Sequence, residues 1–347
     1  MRDIFRYQNI HFCNNLVDII ICTNLIEYFG LKVSNFININ SYFLLACKFN
    51  NINIIKFLIE NYKINIYYKD KFGNNCLFYA SCNNSVNIIK YLTSTYDFDI
   101  NIKNNFKNNC LMFACSYIDI DDLSKINDIN PNANICFKSL MYSDEKYKKI
   151  KNKTNSDNLH IIKYLIEDCE ININHIDNKS RNCLMHACQY NSNIDVIKSL
   201  IEDYKIEINL KNFIGNNCLL LACRNNTNIN IIKYLIEDCK MDINLKNNYD
   251  DNCLILACYN NQNINIIKYL IEDCKIDINL KNTDNENCLL VACTNNSNIN
   301  IIKYLVEECK IDVNSQDIDG NNCLLLACSN NSNINIIKYL VEECKID

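Results

Sequence analysis

The sequence predicts an all-α solenoid of about eight stacked helix–loop–helix repeats joined by short β-hairpin-like fingers. Three observations carry this. The tripeptide Asn-Cys-Leu recurs with its sulfur at Cys76, Cys110, Cys183, Cys218, Cys253, Cys288 and Cys323, and the last four intervals are each 35 residues. Each copy opens a short apolar segment, followed by an Asn-rich break and a second segment with helical spacing. Gly and Pro number only 4 and 1 in 347 residues, so Asn must take the cap and turn positions. It suits both, because it caps helices well and tolerates the left-handed conformation. A fixed period of this size marks an array in which each repeat buries its apolar faces on its neighbours.

Residues 282–316 show the plan. Asn287 stands where an N-cap belongs and precedes Cys288-Leu289-Leu290-Val291-Ala292-Cys293. Thr294 to Asn298 breaks this helix. The second helix runs from Ile299 to Cys309, with Ile301, Ile302, Leu305 and Val306 on one stripe. Lys310 to Asn314 leads out in an alternating, extended pattern toward the next Asn-Cys.

Asp319-Gly320-Asn321-Asn322-Cys323-Leu324-Leu325-Leu326-Ala327-Cys328, followed by Ile336-Ile337-Lys338-Tyr339-Leu340-Val341, resembles the ankyrin repeat. The family pattern is D-x-x-G-x-T-P-L-H-x-A-A, then I-V-x-x-L-L-x-x-G-A-x-V-N. Asn322 sits at its Thr, Cys323 at its Pro, Leu324 at its Leu and Ala327 at its first Ala, while Val313 and Asn314 match the closing V-N of the preceding repeat. The family His becomes Leu325, and the helix-ending Gly is replaced at Cys309. Each repeat carries about two extra residues, one between the helices and one after the second. The Asn-rich dialect is similar to ankyrin proteins of amoeba-infecting giant DNA viruses. Gly73, Gly215 and Gly320 share one slot three residues before the Cys, where Asp250 and Asn285 fit and Lys107 and Ser180 fit poorly.

The repeats divide as 36–69, 70–103, 104–176, 177–211, 212–246, 247–281, 282–316 and 317–347. The interval from Cys110 to Cys183 is 73 residues, 38 more than one repeat, which places an insertion at 116–156 within the third. It holds Pro131 and reads as a solvated, partly disordered segment, with a dedicated binding loop as the alternative. Residues 1–35 read as an N-terminal helical cap or degenerate repeat. The last repeat keeps the apolar faces of the internal ones, so Leu324, Ile336 and Leu340 are expected at an uncapped, exposed end.

Composition narrows the function. A net charge of −5, from 35 basic and 40 acidic residues, leaves no footprint for nucleic acid or anionic lipid. No apolar run is long enough to span a membrane, and no signal peptide precedes the repeats, so the expected setting is a reducing cytoplasm. The 23 cysteines lie periodically on helices. Pairs five apart in the first helix do not share a face, so they read as small apolar packing residues, with metal or redox chemistry as the minor alternative. His11, His160, His175 and His186 have no recurrent Asp or Ser neighbour in sequence, so spacing yields no triad and no metal signature. Glycine-rich phosphate loops and the nucleophile elbow are absent. No enzyme and no cofactor are expected.

Lys233, Lys268 and Lys303, each with Glu four residues on, read as a solvated helix face. Tyr234, Tyr269 and Tyr304 beside them read as packing between second helices, with ligand stacking the alternative. The finger tips carry the candidate site: Phe72, Phe106, Ile214, Tyr249, Asp284 and Asp319. A turn tip needs no aromatic side chain for its own fold, so these are candidate anchors for a partner or, alternatively, finger-to-finger contacts. The resemblance implies binding through finger tips and the concave first-helix surface. The expected function is a protein–protein interaction scaffold. The alternatives are self-association through the last repeat and a ubiquitin-ligase adaptor, for which residues 1–35 are the free segment.

Overall fold

The computed structural model describes residues 39–48, 50–116 and 158–346. The expected cap at 1–35 lies outside the described residues, as does the insertion beyond Ser116. The described residues fall into two compact units, one holding 39–114 and 158–164, the other 115–116 and 165–346.

Among the described residues the structure is helical, with no strand. The first helices of successive repeats are Ile39–Lys48, Cys76–Cys82, Cys110–Cys115, Cys183–Tyr190, Cys218–Asn225, Cys253–Asn260, Cys288–Asn295 and Cys323–Asn330. The second helices are Ile52–Asn61, Val86–Thr95, Asn158–Lys163, Ile194–Lys198, Ile229–Lys233, Ile264–Lys268, Ile299–Lys303 and Ile334–Glu342. The Asn-Cys-Leu motif works as its chemistry requires. Asn287 Oδ1 accepts the backbone N–H groups of Leu289 and Leu290, which the first turn leaves without partners. Asn75, Asn182, Asn217, Asn252 and Asn322 cap their helices in the same way.

Helices this short do not persist alone in water. They persist here because nearly every residue of the first helix is covered. Cys253, Leu254, Ile255, Leu256, Ala257 and Cys258 are all buried between the first helices on either side. Each such leucine contributes roughly 1.5–3 kcal/mol on burial.

The inter-helix loops are held by asparagine. Asn226 Nδ2 donates to Cys188 O at 2.9 Å and to Asn191 O at 2.8 Å, reaching into the preceding repeat. Asn261, Asn296 and Asn331 repeat both bonds. Two residues on, Asn228, Asn263, Asn298 and Asn333 cap their own second helix and donate to the preceding loop as well. The extra loop residue of these repeats has a conformational use. In the shorter loops Asn50 and Asn84 are forced to φ +54°, whereas Asn226 and Asn261 sit at −81° and −74°.

The other extra residue is taken up at the end of the second helix. Tyr304–Glu308 forms a π-helical turn, the common way for a helix to absorb one residue. The left-handed residue that follows is Lys310, at φ +55°, not Cys309. The substitution for the family glycine therefore falls one position later than the sequence alignment places it.

The last repeat corrects one expectation. Ile336 and Leu340 are fully buried, because the second helix turns them inward onto Cys323–Asn330 and Ile299–Lys303, and Leu324 is half-buried. The open face is carried instead by Leu325, Ile334 and Val341. Leu325 corresponds to Leu290, which the next first helix covers completely.

Replacing Asn261 with Ala removes two donors and leaves the Cys223 and Asn226 carbonyls buried without them. This substitution is expected to cost about 1–3 kcal/mol in urea unfolding. An unchanged midpoint would show that the asparagine ladder is incidental.

Candidate functional site

Every finger is built on one design. An Asp or Asn six residues before the Cys accepts two backbone N–H groups of its own turn. Asn212 Oδ1 takes those of Ile214 at 3.1 Å and Asn216 at 2.9 Å, and Asp317 Oδ1 those of Asp319 and Asn321. Three residues before the Cys the chain turns left-handed in all seven described fingers, at Gly73, Lys107, Ser180, Gly215, Asp250, Asn285 and Gly320. Lys107 and Ser180, poor fits by residue type, adopt the conformation all the same. At Gly215 a side chain would also run into Asn248 of the next finger. The turn thus depends on these two slots and leaves the tip side chains free to vary.

In the first unit, Phe72 is half-buried and its ring centroid lies 6.1 Å from that of Phe106. Phe106 is 49% exposed. Here the tips do pack finger to finger, and the outer ring still faces solvent. In the second unit a single backbone bond joins each finger to the next: Asn248 N to Ile214 O at 3.0 Å, Thr283 N to Tyr249 O at 2.9 Å and Ile318 N to Asp284 O at 2.8 Å. Ile214, Tyr249, Asp284 and Asp319 thereby form one row. Ile214 is half-buried, Tyr249 is 52% exposed, and both aspartates are exposed. Reasoning from sequence missed Phe213, 59% exposed, and Ile318, 69% exposed, one position before the predicted tips. An apolar residue at a position otherwise held by Lys71, Asn105, Asn178, Asn248 and Thr283 was the available signal.

The row changes character along its length, from apolar at Phe213, Ile214 and Tyr249 to acidic at Asp284, Glu286, Asp317 and Asp319. Burial pushes the Glu286 carboxyl up, and the nearby Asp284, Asp317 and Asp251 charges reinforce this against the Asn282 hydrogen bond. On the first-helix side, Arg224 stacks over the Tyr259 ring at 4.4 Å, and Tyr190 is exposed.

His186 acquires partners that sequence spacing did not provide. Its Nε2 lies 3.1 Å from Asp177 Oδ2, and its Nδ1 lies 2.9 Å from Ser116 Oγ. Arg181 closes on the same carboxylate, with Nε at 2.8 Å. An ionised Asp177 only accepts, which makes Nε2 the donor and Ser116 the donor to Nδ1. The sequence Ser–His–Asp is that of a serine-hydrolase triad, but with the ring nitrogens exchanged, since in the triad the serine faces Nε2 and the aspartate holds Nδ1. Ser116, Asp177 and His186 are only 4%, 5% and 5% exposed, so no substrate reaches the hydroxyl as the residues stand. Within the second unit the arrangement ties Ser116 and the finger residue Asp177 to the helix Cys183–Tyr190. Burial pushes the His186 pKa down, outweighing the Asp177 bond that would raise it. For Asp177 burial acts upward, but the His186 and Arg181 hydrogen bonds and the guanidinium charge prevail and hold it well below the usual carboxylate range.

The outer face is a clamp of second helices. Tyr304 donates to Glu272 Oε1 at 2.7 Å, and Lys268 Nζ lies 4.9 Å from the Tyr304 ring centroid. The same trio recurs at Tyr234, Tyr269 and Tyr339. Burial and the Glu272 bond push the Tyr304 hydroxyl's pKa up, so it remains a donor. The tyrosines pack between second helices, as expected. The lysines stack on tyrosine rings of the next repeat, a contact the local i, i+4 reading did not contain. Among the described residues no group of His, Cys, Asp or Glu is placed to hold a metal ion, and no helix is long and apolar enough to cross a membrane.

A family model for ankyrin repeats, three copies long, matches residues 23–134, 153–212, 195–282 and 254–347. No curated protein matches the chain. A chain of the solved structure described as "Bd0816 Predatory Endopeptidase from Bdellovibrio bacteriovorus in complex with immunity protein Bd3460" is similar at 23% identity and a TM-score of 0.42, covering 54% of this chain and 93% of that one.

The buried His186–Asp177 pair makes stability pH-dependent. Both pKa values are depressed by folding, so both contributions are complete above the unfolded values and fade on acidification. For His186 the loss starts as pH falls through its ordinary value of 6.5, and Asp177 adds to it below 3.8. The urea midpoint of the wild type should therefore drop between about pH 7 and pH 5 more steeply than that of His186→Gln. Parallel profiles would refute this assignment.

Proposed function

The chain belongs to the ankyrin-repeat family, and from that premise we propose that it is a non-enzymatic scaffold that grips a folded protein through its finger tips and first-helix groove. The observation that carries this reading is the exposure of large apolar side chains at tips whose turns do not require them: Phe106, Phe213, Tyr249 and Ile318. Aromatic anchors of this kind dominate interface energies, while polar neighbours exclude water around them. Phe72, Phe106, Ile214, Tyr249, Asp284 and Asp319 are the proposed contact residues. Within the second unit, apolar anchors lead and carboxylates follow. The Asn-rich dialect supports a further step, that this is a viral protein of the giant-virus type engaging a host protein in the reducing cytoplasm. No nucleic acid, membrane or cofactor enters this reading.

Affinity purification from host-cell lysate tests it. Wild type and a variant with Phe213, Tyr249 and Ile318 changed to Ser should have similar helical content and similar urea midpoints, since these side chains are more than half exposed and the turns are set by the Asx residue and the left-handed slot. The variant is expected to lose the partner by at least tenfold, about 1.4 kcal/mol. Equal recovery would remove the finger tips from the function.

A second reading, self-association through the last described repeat, is favoured by the exposure of Leu325, Ile334 and Val341 on one face. Light scattering over a hundredfold concentration range should then show mass rising with concentration, and Leu325→Lys should abolish the rise. A constant monomer mass would eliminate this reading.

A further inference from the structure

Resting on the finger-tip reading above, we infer that the partner is a protein whose contact surface sets a Lys- and Arg-rich patch beside an apolar pocket. It lies along the fingers of the second unit in one direction, with its basic patch toward Asp319. The row of tips begins one finger before Ile214, at Lys179. Phe213 N donates to Lys179 O at 3.1 Å, just as Asn248 N donates to Ile214 O. Lys179 is exposed and holds the tip position of its own finger. Charge then changes in one sense along the row. Residues 177–181 carry Lys179 and Arg181 against Asp177 alone, and residues 212–216 carry no charge. Residues 247–251, 282–286 and 317–321 each carry two carboxylates and no Lys or Arg.

The finger turn does not require these acids. Asp251 and Glu286 stand two residues before their Cys, where Asn74, Asn108, Asn216 and Asn321 serve the same turn. At the tip, Asp284 joins its neighbour through backbone, since Ile318 N donates to Asp284 O. The carboxylates are also crowded. Asn282 Nδ2 is shared between Asp251 Oδ1 at 3.2 Å and Glu286 Oε2 at 3.0 Å, acids of neighbouring fingers. Lys281, just before this turn, donates to Asn285 Oδ1 at 3.2 Å. Like charges held this close work against folding, and a cationic surface laid over them relieves the repulsion.

The apolar anchors say what accompanies the cations. Phe213 and Tyr249, both more than half exposed, lead into the acidic turns, and Ile318 stands among them. Lys and Arg suit this mixture, because their stems cover apolar and aromatic surface while their heads reach carboxylates. A nucleic acid or an anionic membrane would meet the acids with like charge and be repelled. A basic patch turned the other way would face Lys179 and Arg181, so the gradient also selects the direction of docking. The two kinds of contact act on different rates. Exposed charges steer association, whereas desolvated anchors set how long the complex lasts.

A phage-displayed library of a small folded domain with one randomised face, panned on the full chain, supplies the probe. Selected domains should be enriched in Lys and Arg beside aromatic or aliphatic residues. Asp284→Asn, Glu286→Gln and Asp319→Asn, combined in one variant, remove charge and leave the turn hydrogen bonds in place. This variant should keep the wild-type urea midpoint or exceed it. The selected domains should associate with it about fivefold more slowly or worse, and added salt should slow their association with wild type as much. The Phe213, Tyr249 and Ile318 to Ser variant should instead speed dissociation. Domains without basic enrichment, or association indifferent to both salt and neutralisation, would overturn the basic-patch proposal. If the Ser variant still lost those domains, the finger-tip reading would stand without it. Failure to select any binder, or binders indifferent to both variants, would overturn the two together.

Discussion

Each first helix in this chain has an apolar face that its own repeat cannot cover, and the fold depends on the next repeat covering it. Leu290 is sealed by the first helix of the next repeat, and Leu325, with no further first helix described after it, is not. A helix of seven or eight residues has no independent stability, so secondary structure and stacking form together or not at all. The composition follows from this constraint. Stacked loops carry backbone carbonyls into the interior, and a buried carbonyl needs a donor. Asn226 supplies one N–H to Cys188 O and another to Asn191 O, while its Oδ1 accepts from Asn228 N. Gly or Pro in that loop would turn the chain but leave those carbonyls unpaired. Asparagine is therefore the bonding element of the array and not merely a substitute turn residue.

Much of this was legible in the sequence because it repeats. The 35-residue period, the Asn cap before Cys288 and the apolar stripe at Ile301, Ile302 and Leu305 all rest on contacts between near neighbours in the chain or on strict recurrence. What was not legible rests on contacts without a local signature. His186 meets Asp177 nine residues away and Ser116 seventy away, across the insertion. Lys310 adopts a left-handed conformation that costs roughly 1–2 kcal/mol for a side chain of that kind, so nothing in its identity announces it. The same holds for Lys107 and Ser180, which follow the finger because the Asx residue and the inter-finger bond dictate the turn. The buried placement of Ile336 and Leu340 was missed because an apolar stripe says which residues share a face, not whether that face looks toward the partner helix or the next repeat.

The candidate site was only half legible for a related reason. Turn chemistry identified the tip slot, and six residues were assigned to it. Which tip side chains are solvent-facing is decided by how one finger leans on the next. Phe72 leans on Phe106 and is half-covered, whereas Phe213 and Ile318, one position earlier, point into solvent. Exposure of large side chains at a turn is a property of packing, and single-sequence periodicity does not contain it.

The contacts between repeats of the second unit are arranged in layers, and the layers differ in chemistry. Tyr304, Glu272 and Lys268 clamp the second helices on the outside, the asparagines bond the loops, one backbone bond joins each finger pair, and the apolar first helices pack against one another at the centre. The outer clamp is partly exposed, and such contacts are individually weak. The loop and centre contacts are dry, so they hold the spacing between repeats more firmly. The partner proposed above, laid along Ile214, Tyr249, Asp284 and Asp319, would touch side chains borne by successive repeats, at a spacing that the repeats have already fixed. Little ordering is then left for binding to impose on this surface, which is the condition under which a few exposed anchors suffice for affinity.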